Sequence, residues 1–112
     1  MISFAHIINP VAAEEGSDLT VAQPITFETM RVAREFAGGA EAVAFYAIQY
    51  NDEQRVQLPD CFARVPDLAR SVADFGAFTR KRRLPLIRDI LDALAAAARN
   101  ADYLIYTNAD IA

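Results

Sequence analysis

Residues 84–107, LPLIRDILDALAAAARNADYLIYT, decide the fold class. Pro85 suits the first turn of a helix, where its missing N–H costs no hydrogen bond, so a helix is expected over residues 84–99. Ile87, Leu91, Leu94 and Ala98 fall on one stripe at helical spacing, while Arg88 and Asp92, four residues apart, can pair on another side. Asp102 then leads into Tyr103, Leu104, Ile105, Tyr106 and Thr107. That run has no polar alternation, as expected of a strand buried on both faces.

Two further stretches read the same way. Residues 2–8, ISFAHII, end at Asn9-Pro10, and residues 42–50, AVAFYAIQY, end at Asn51-Asp52-Glu53. Between them, residues 11–23 are polar and irregular and read as a long loop, the kind of segment that often carries function. From Pro24 a helix is expected, with Thr26 able to cap it, Phe27, Met30 and Ala33 at helical spacing, and Gly38-Gly39 as its stop. Residues 62–65 fit a short edge strand and residues 67–75 a short helix. Apolar strands interleaved with helices predict an α/β fold of Rossmann-like type in three layers, a mostly parallel sheet with helices on both faces, forming one domain over residues 1–112. The strand at 103–107 is expected beside the strand at 2–8. Ligands of such folds bind outside the carboxyl ends of the strands, where strand order reverses.

Composition narrows the function classes. The chain of 112 residues is 54% hydrophobic and 23% charged, so it has the material for a core and does not read as disordered. Eleven basic against fifteen acidic residues give a net charge of -4, which disfavours nucleic acid as a partner and confines any anion site to a local patch. A single cysteine, Cys61, excludes an internal disulfide and zinc-type Cys/His spacing, and reads as a small buried side chain in a reducing, cytoplasmic setting. The first basic residue is Arg31, which does not fit a secretory leader, and no apolar stretch approaches the ~18 residues of a transmembrane segment.

Few residues can carry chemistry. In Asn108-Ala109-Asp110 an amide oxygen and a carboxylate stand two positions apart at the mouth of a strand, a donor set that suits Mg²⁺ or Mn²⁺, although the same triplet also makes an ordinary strand-ending polar turn. Arg80-Lys81-Arg82-Arg83, with Arg88 one turn into the next helix, is the dense positive patch of an acidic chain. It can hold a diphosphate with the help of the helix dipole, or it can be a solvated surface run. His6 reads as a core histidine bonded to backbone. No nucleophile and base pair stands out, and neither GxGxxG nor a phosphate-loop lysine motif occurs.

The run Ala101-Asp102-Tyr103-Leu104-Ile105-Tyr106-Thr107-Asn108-Ala109-Asp110 resembles the strand and DxD motif of GT-A fold glycosyltransferases, with Asn108 in place of the first aspartate. The loop at Asn9-Pro10, the turn at Asn51-Asp52, and the basic segment before a long helix follow that family's order. The resemblance implies a nucleotide-diphosphate sugar donor, with Pro10 and Asp52 near the nucleoside, Lys81, Arg83 and Arg88 near the diphosphate, and Asn108 and Asp110 at a divalent Mn or Mg ion. It also implies an acceptor of unknown identity. GT-A enzymes continue beyond this motif with the acceptor site and, in inverting members, a catalytic base. The 112 residues therefore read as a truncated donor-binding portion, inactive alone. The alternative is a non-catalytic α/β module for binding or assembly, and in either case self-association through an exposed sheet edge is expected.

Overall fold

The computed structural model describes residues 2–12, 16–70 and 85–109. Its elements are β1 (Phe4–Ile8), α1 (Asp18–Phe36), β2 (Val43–Ala47), β3 (Phe62–Arg64), α2 (Ile87–Ala97) and β4 (Tyr103–Thr107), with a 3-10 turn at Gly39–Glu41. The four strands form one sheet in the order β3-β2-β1-β4, and every adjacent pair is parallel. Ile8 is level with Ala47 on one side and Thr107 on the other, so the carboxyl ends of β2, β1 and β4 lie flush.

Strand alternation assigns the faces. Ala5 and Ile7 pack with Ile48, Tyr50, Leu68, Ile90 and Leu94, which places α2 on that side. Ile8, Phe45 and Ala47 pack with Phe27 and Met30 of α1 and Phe62 of β3 on the other. Each large side chain removed from water there contributes about 1.5–3 kcal/mol, enough in sum to hold both helices against the sheet. The amino ends are fastened separately. Asp102 accepts from the Ser3 N–H at 2.7 Å and the Ser3 carbonyl accepts from the Asp102 N–H at 3.0 Å, so the aspartate that precedes β4 aligns it with β1.

Several boundaries differ from the sequence reading. The stretch taken as loop through Gln23 is helical from Asp18, and Pro24 lies inside α1 rather than at its start. Pro24 faces solvent, where a missing N–H donor is tolerated more readily than in the core. Thr26 is no cap: it donates to the Ala22 carbonyl at 3.0 Å within the helix. Ala37 ends α1, and Gly38 and Gly39 follow with φ of 110° and 80°, values a side chain would resist. Of the helix expected over 67–75, residues 67–70 are not helical, with Leu68 bridged to Tyr50 in parallel, and the remainder lies outside the described residues. On α2 the buried positions are Ile90 and Leu94, while Ile87 is 59% exposed, so the core stripe is rotated from the one expected.

Candidate functional site

The chain runs from β1 to β2 and β3 on one side, then returns to β4 on the other side of β1. The order therefore reverses between β1 and β4, and the loops leaving these two strands flank the crevice where parallel α/β folds take ligands. Asn9 and Asn108 are the first residues beyond the two strands, each following one member of the aligned pair Ile8 and Thr107. Asn9 donates from Nδ2 to the Ile48 carbonyl at 2.7 Å, which joins the β1 loop to the end of β2.

Three buried or bridging polar side chains shape this rim. Gln23 of α1 accepts from the Val11 N–H at 2.7 Å and donates to the Val11 carbonyl at 2.8 Å. Glu53 accepts from the Ala12 N–H at 2.6 Å and the Tyr50 N–H at 3.3 Å, so its carboxylate spans the loops after β1 and β2. Gln49, 1% exposed, accepts from the Val56 N–H at 3.0 Å and Arg64 at 2.9 Å and donates to the Gln54 carbonyl at 3.0 Å. Between α1 and residues 54–57 these contacts leave a cavity of about 260 Å³, whose lining includes Ala12, Thr20, Gln54 and Arg55. Arg55 is paired with Asp67.

The residues singled out from sequence are placed as follows. Pro10 is fully buried at the start of the β1 loop, so its role is to fix the chain path rather than to offer a polar contact. Asp52 is exposed in the turn beyond β2. Arg88 is exposed on the first turn of α2, with Nε 3.6 Å from Asp92, the expected pair. Asn108 is exposed and Ala109 is 6% exposed, packed into the cluster with Ile8 and Phe27. Burial of the middle residue turns the first position of the triplet outward. Lys81, Arg83 and Asp110 lie outside the described residues. Among the described residues no group of three His, Cys, Asp or Glu side chains could hold a metal ion, and Asn108 is the one described donor of the triplet.

Beside that rim, Arg70 and Asp89 form a two-bonded ion pair, both contacts at 2.7 Å, and the guanidinium holds the carboxyl below its usual range. His6 bonds not to backbone but to Thr107, with Nε2 and Oγ1 2.8 Å apart, and burial pushes its pKa below the ordinary value. Cys61 is half-buried against the α1-side cluster, not fully enclosed. Sequence reading missed Gln23, Gln49 and Glu53. The one signal available was Gln49, an amide within the apolar run at residues 42–50.

The class defined by these observations is a parallel α/β fold, Rossmann-like in its coarse arrangement. No family model, curated protein or solved structure matches the chain. Among the described residues no helix is long and apolar enough to cross a membrane.

Proposed function

We propose that these residues form the donor-binding part of a glycosyltransferase-like protein, taking a nucleotide-diphosphate sugar at the carboxyl rim with a divalent metal and passing the glycosyl group to an acceptor held elsewhere. The observation that carries this reading is the switch point itself: the loops led by Asn9 and Asn108 emerge side by side from β1 and β4. The cavity beside α1, lined in part by Val11 and Ala12 of the loop after β1 and by Arg55, offers a recess for the nucleoside. A dication partly ligated by Asn108 and Asp110 would neutralise charge on the leaving diphosphate. Titration calorimetry of the full chain with UDP, GDP and ADP, each with Mn²⁺ and with chelator, tests it. Tighter binding of one diphosphate with Mn²⁺ is expected, and equal or absent binding under all conditions rejects the reading.

A second reading, a non-catalytic assembly module, is favoured by one feature. Among the described residues no strand pairs with the outer edge of β4, where Tyr103 is 56% and Leu104 39% exposed. Unblunted apolar edges recruit further strands. Sedimentation velocity across a concentration series separates the readings, since the assembly module predicts concentration-dependent association without any nucleotide.

A further inference from the structure

Helix α1 covers only part of its side of the sheet. Phe27 and Met30 sit over Ile8, Phe45 and Ala47. The same face continues across Phe4, His6, Tyr103, Ile105 and Thr107, and a groove of about 300 Å³ remains between the helix and this β1–β4 half. Its walls are apolar, with Met30, Ala33, Val43, Phe45 and Ile105 contributing.

The polar groups of the groove can be accounted for one at a time. Thr26 and Thr29 spend their hydroxyls on the Ala22 and Ile25 carbonyls of their own helix, at 3.0 and 2.8 Å. His6 and Thr107 are bonded to each other. Burial favours the uncharged imidazole, so His6 adds no second positive charge near neutral pH. Arg34 differs. Its guanidinium carbon lies 4.6 Å from the centre of the Phe45 ring, and its one side-chain hydrogen bond among the described residues, to the Val43 carbonyl, is 3.5 Å long. Its Nε is buried with no acceptor, and among the described residues no carboxylate pairs with it. Native proteins rarely leave a buried donor unmatched, and stacking on an aromatic face leaves a guanidinium's in-plane donors available to a carboxylate.

We propose that this groove binds a small monocarboxylic acid with an apolar, ring-sized body, the carboxylate on Arg34 and the body between Met30, Phe45 and Ile105. A volume near 300 Å³ is at the lower end of small-molecule sites, which fits a single-ring acid and is small for a nucleotide sugar. One net positive charge in an apolar recess selects one negative charge. The site lies on the sheet face under α1, reaches the carboxyl end of the sheet at Thr107, and stands whether or not the donor reading holds.

Phenylacetate and its neutral isostere phenylacetamide are the probes, titrated into the ¹⁵N-labelled full chain and followed by amide chemical shifts. Saturable shifts centred on His6, Ala33, Arg34 and Thr107 are expected with phenylacetate, with phenylacetamide about ten-fold weaker or worse, since a charge-assisted contact is lost. Arg34→Met, checked for folding by circular dichroism, should bring the acid down to the level of the amide. Equal affinity for acid and amide in the wild-type chain, saturation mapped away from the groove, or no saturation by the acid overturns the proposal. The acid and amide comparison decides the question by itself if Arg34→Met does not fold.

Discussion

Gln23 of α1 and Val11 of the loop after β1 are joined by two hydrogen bonds, one in each direction, at 2.7 and 2.8 Å, with Gln23 only 4% exposed. A primary amide carries its donor and its acceptor on neighbouring atoms, so it can satisfy both halves of a peptide unit at once. Gln23→Leu should cost about 1–3 kcal/mol, because Val11 loses both partners while the amide's replacement fills similar space. Gln23→Glu keeps the acceptor but aims a carboxylate at the Val11 carbonyl, so it should be no better than Leu near neutral pH. Urea unfolding of the three proteins checks this, and a Gln23→Leu midpoint equal to wild type would show the pair contributes nothing.

His6 makes folding pH-dependent. Burial lowers its pKa below the ordinary 6.5, so the unfolded chain takes up a proton more readily than the folded one. Stability is then at full value above the unfolded pKa and declines as pH falls from there toward the lower, folded pKa. His6→Gln, which keeps a polar group near Thr107 without titrating, should lose less stability than wild type on going from about pH 7 to pH 5.5. Parallel urea midpoints across that interval for both proteins would remove His6 as the cause.

The α2 core contacts give a sharp contrast between two isoleucines three residues apart. Ile90 is fully buried and Ile87 is 59% exposed. Ile90→Ala should cost about 2–5 kcal/mol through lost transfer energy and a residual cavity. Ile87→Ala should stay within about 0.5 kcal/mol. Equal costs would mean that α2 is rotated on the sheet from the orientation described.

That contrast also marks what the sequence can convey. Strands such as YLIYT are legible from their continuous apolar character, and β4 has the expected bounds; the burial on both faces expected of it is not found, because β4 is an edge strand with Tyr103 and Leu104 exposed. Helix rotation is harder: Ile87, Leu91, Leu94 and Ala98 satisfy the helical period as well as Ile90 and Leu94 do, and only the sheet underneath chooses between them. The start of α1 was hidden for a different reason. Its first turns carry polar, solvent-facing residues and an internal proline, features local patterning assigns to loops. At the rim, Asn9 and Asn108 were foreseeable as strand-end residues, since parallel strands carry their carboxyl ends to one side. Gln23, Gln49 and Glu53 were not, because their partners include groups 12, 15 and 41 residues distant that the completed fold brings near.

Metal dependence of nucleotide binding is the measurement on which the donor reading turns. Ala109 is packed beside Ile8 and Phe27 while Asn108 is exposed, so Asn108→Asp changes the charge at the rim without touching the core and should leave stability within about 0.5 kcal/mol of wild type. If Mn²⁺ bridges the triplet and the diphosphate, a second carboxylate offsets more of the cost of dehydrating a hard dication. Asn108→Asp should then widen the affinity gap between Mn²⁺ and chelator, by about ten-fold or ~1.4 kcal/mol. Asp110→Ala should close most of the gap, since Asp110 carries the triplet's one full negative charge. Calorimetric titration of UDP into wild type and both variants, with Mn²⁺ and with chelator, reads all of this directly. Identical affinities in all three proteins would make Asn108-Ala109-Asp110 a strand-ending turn and transfer the weight to the assembly reading.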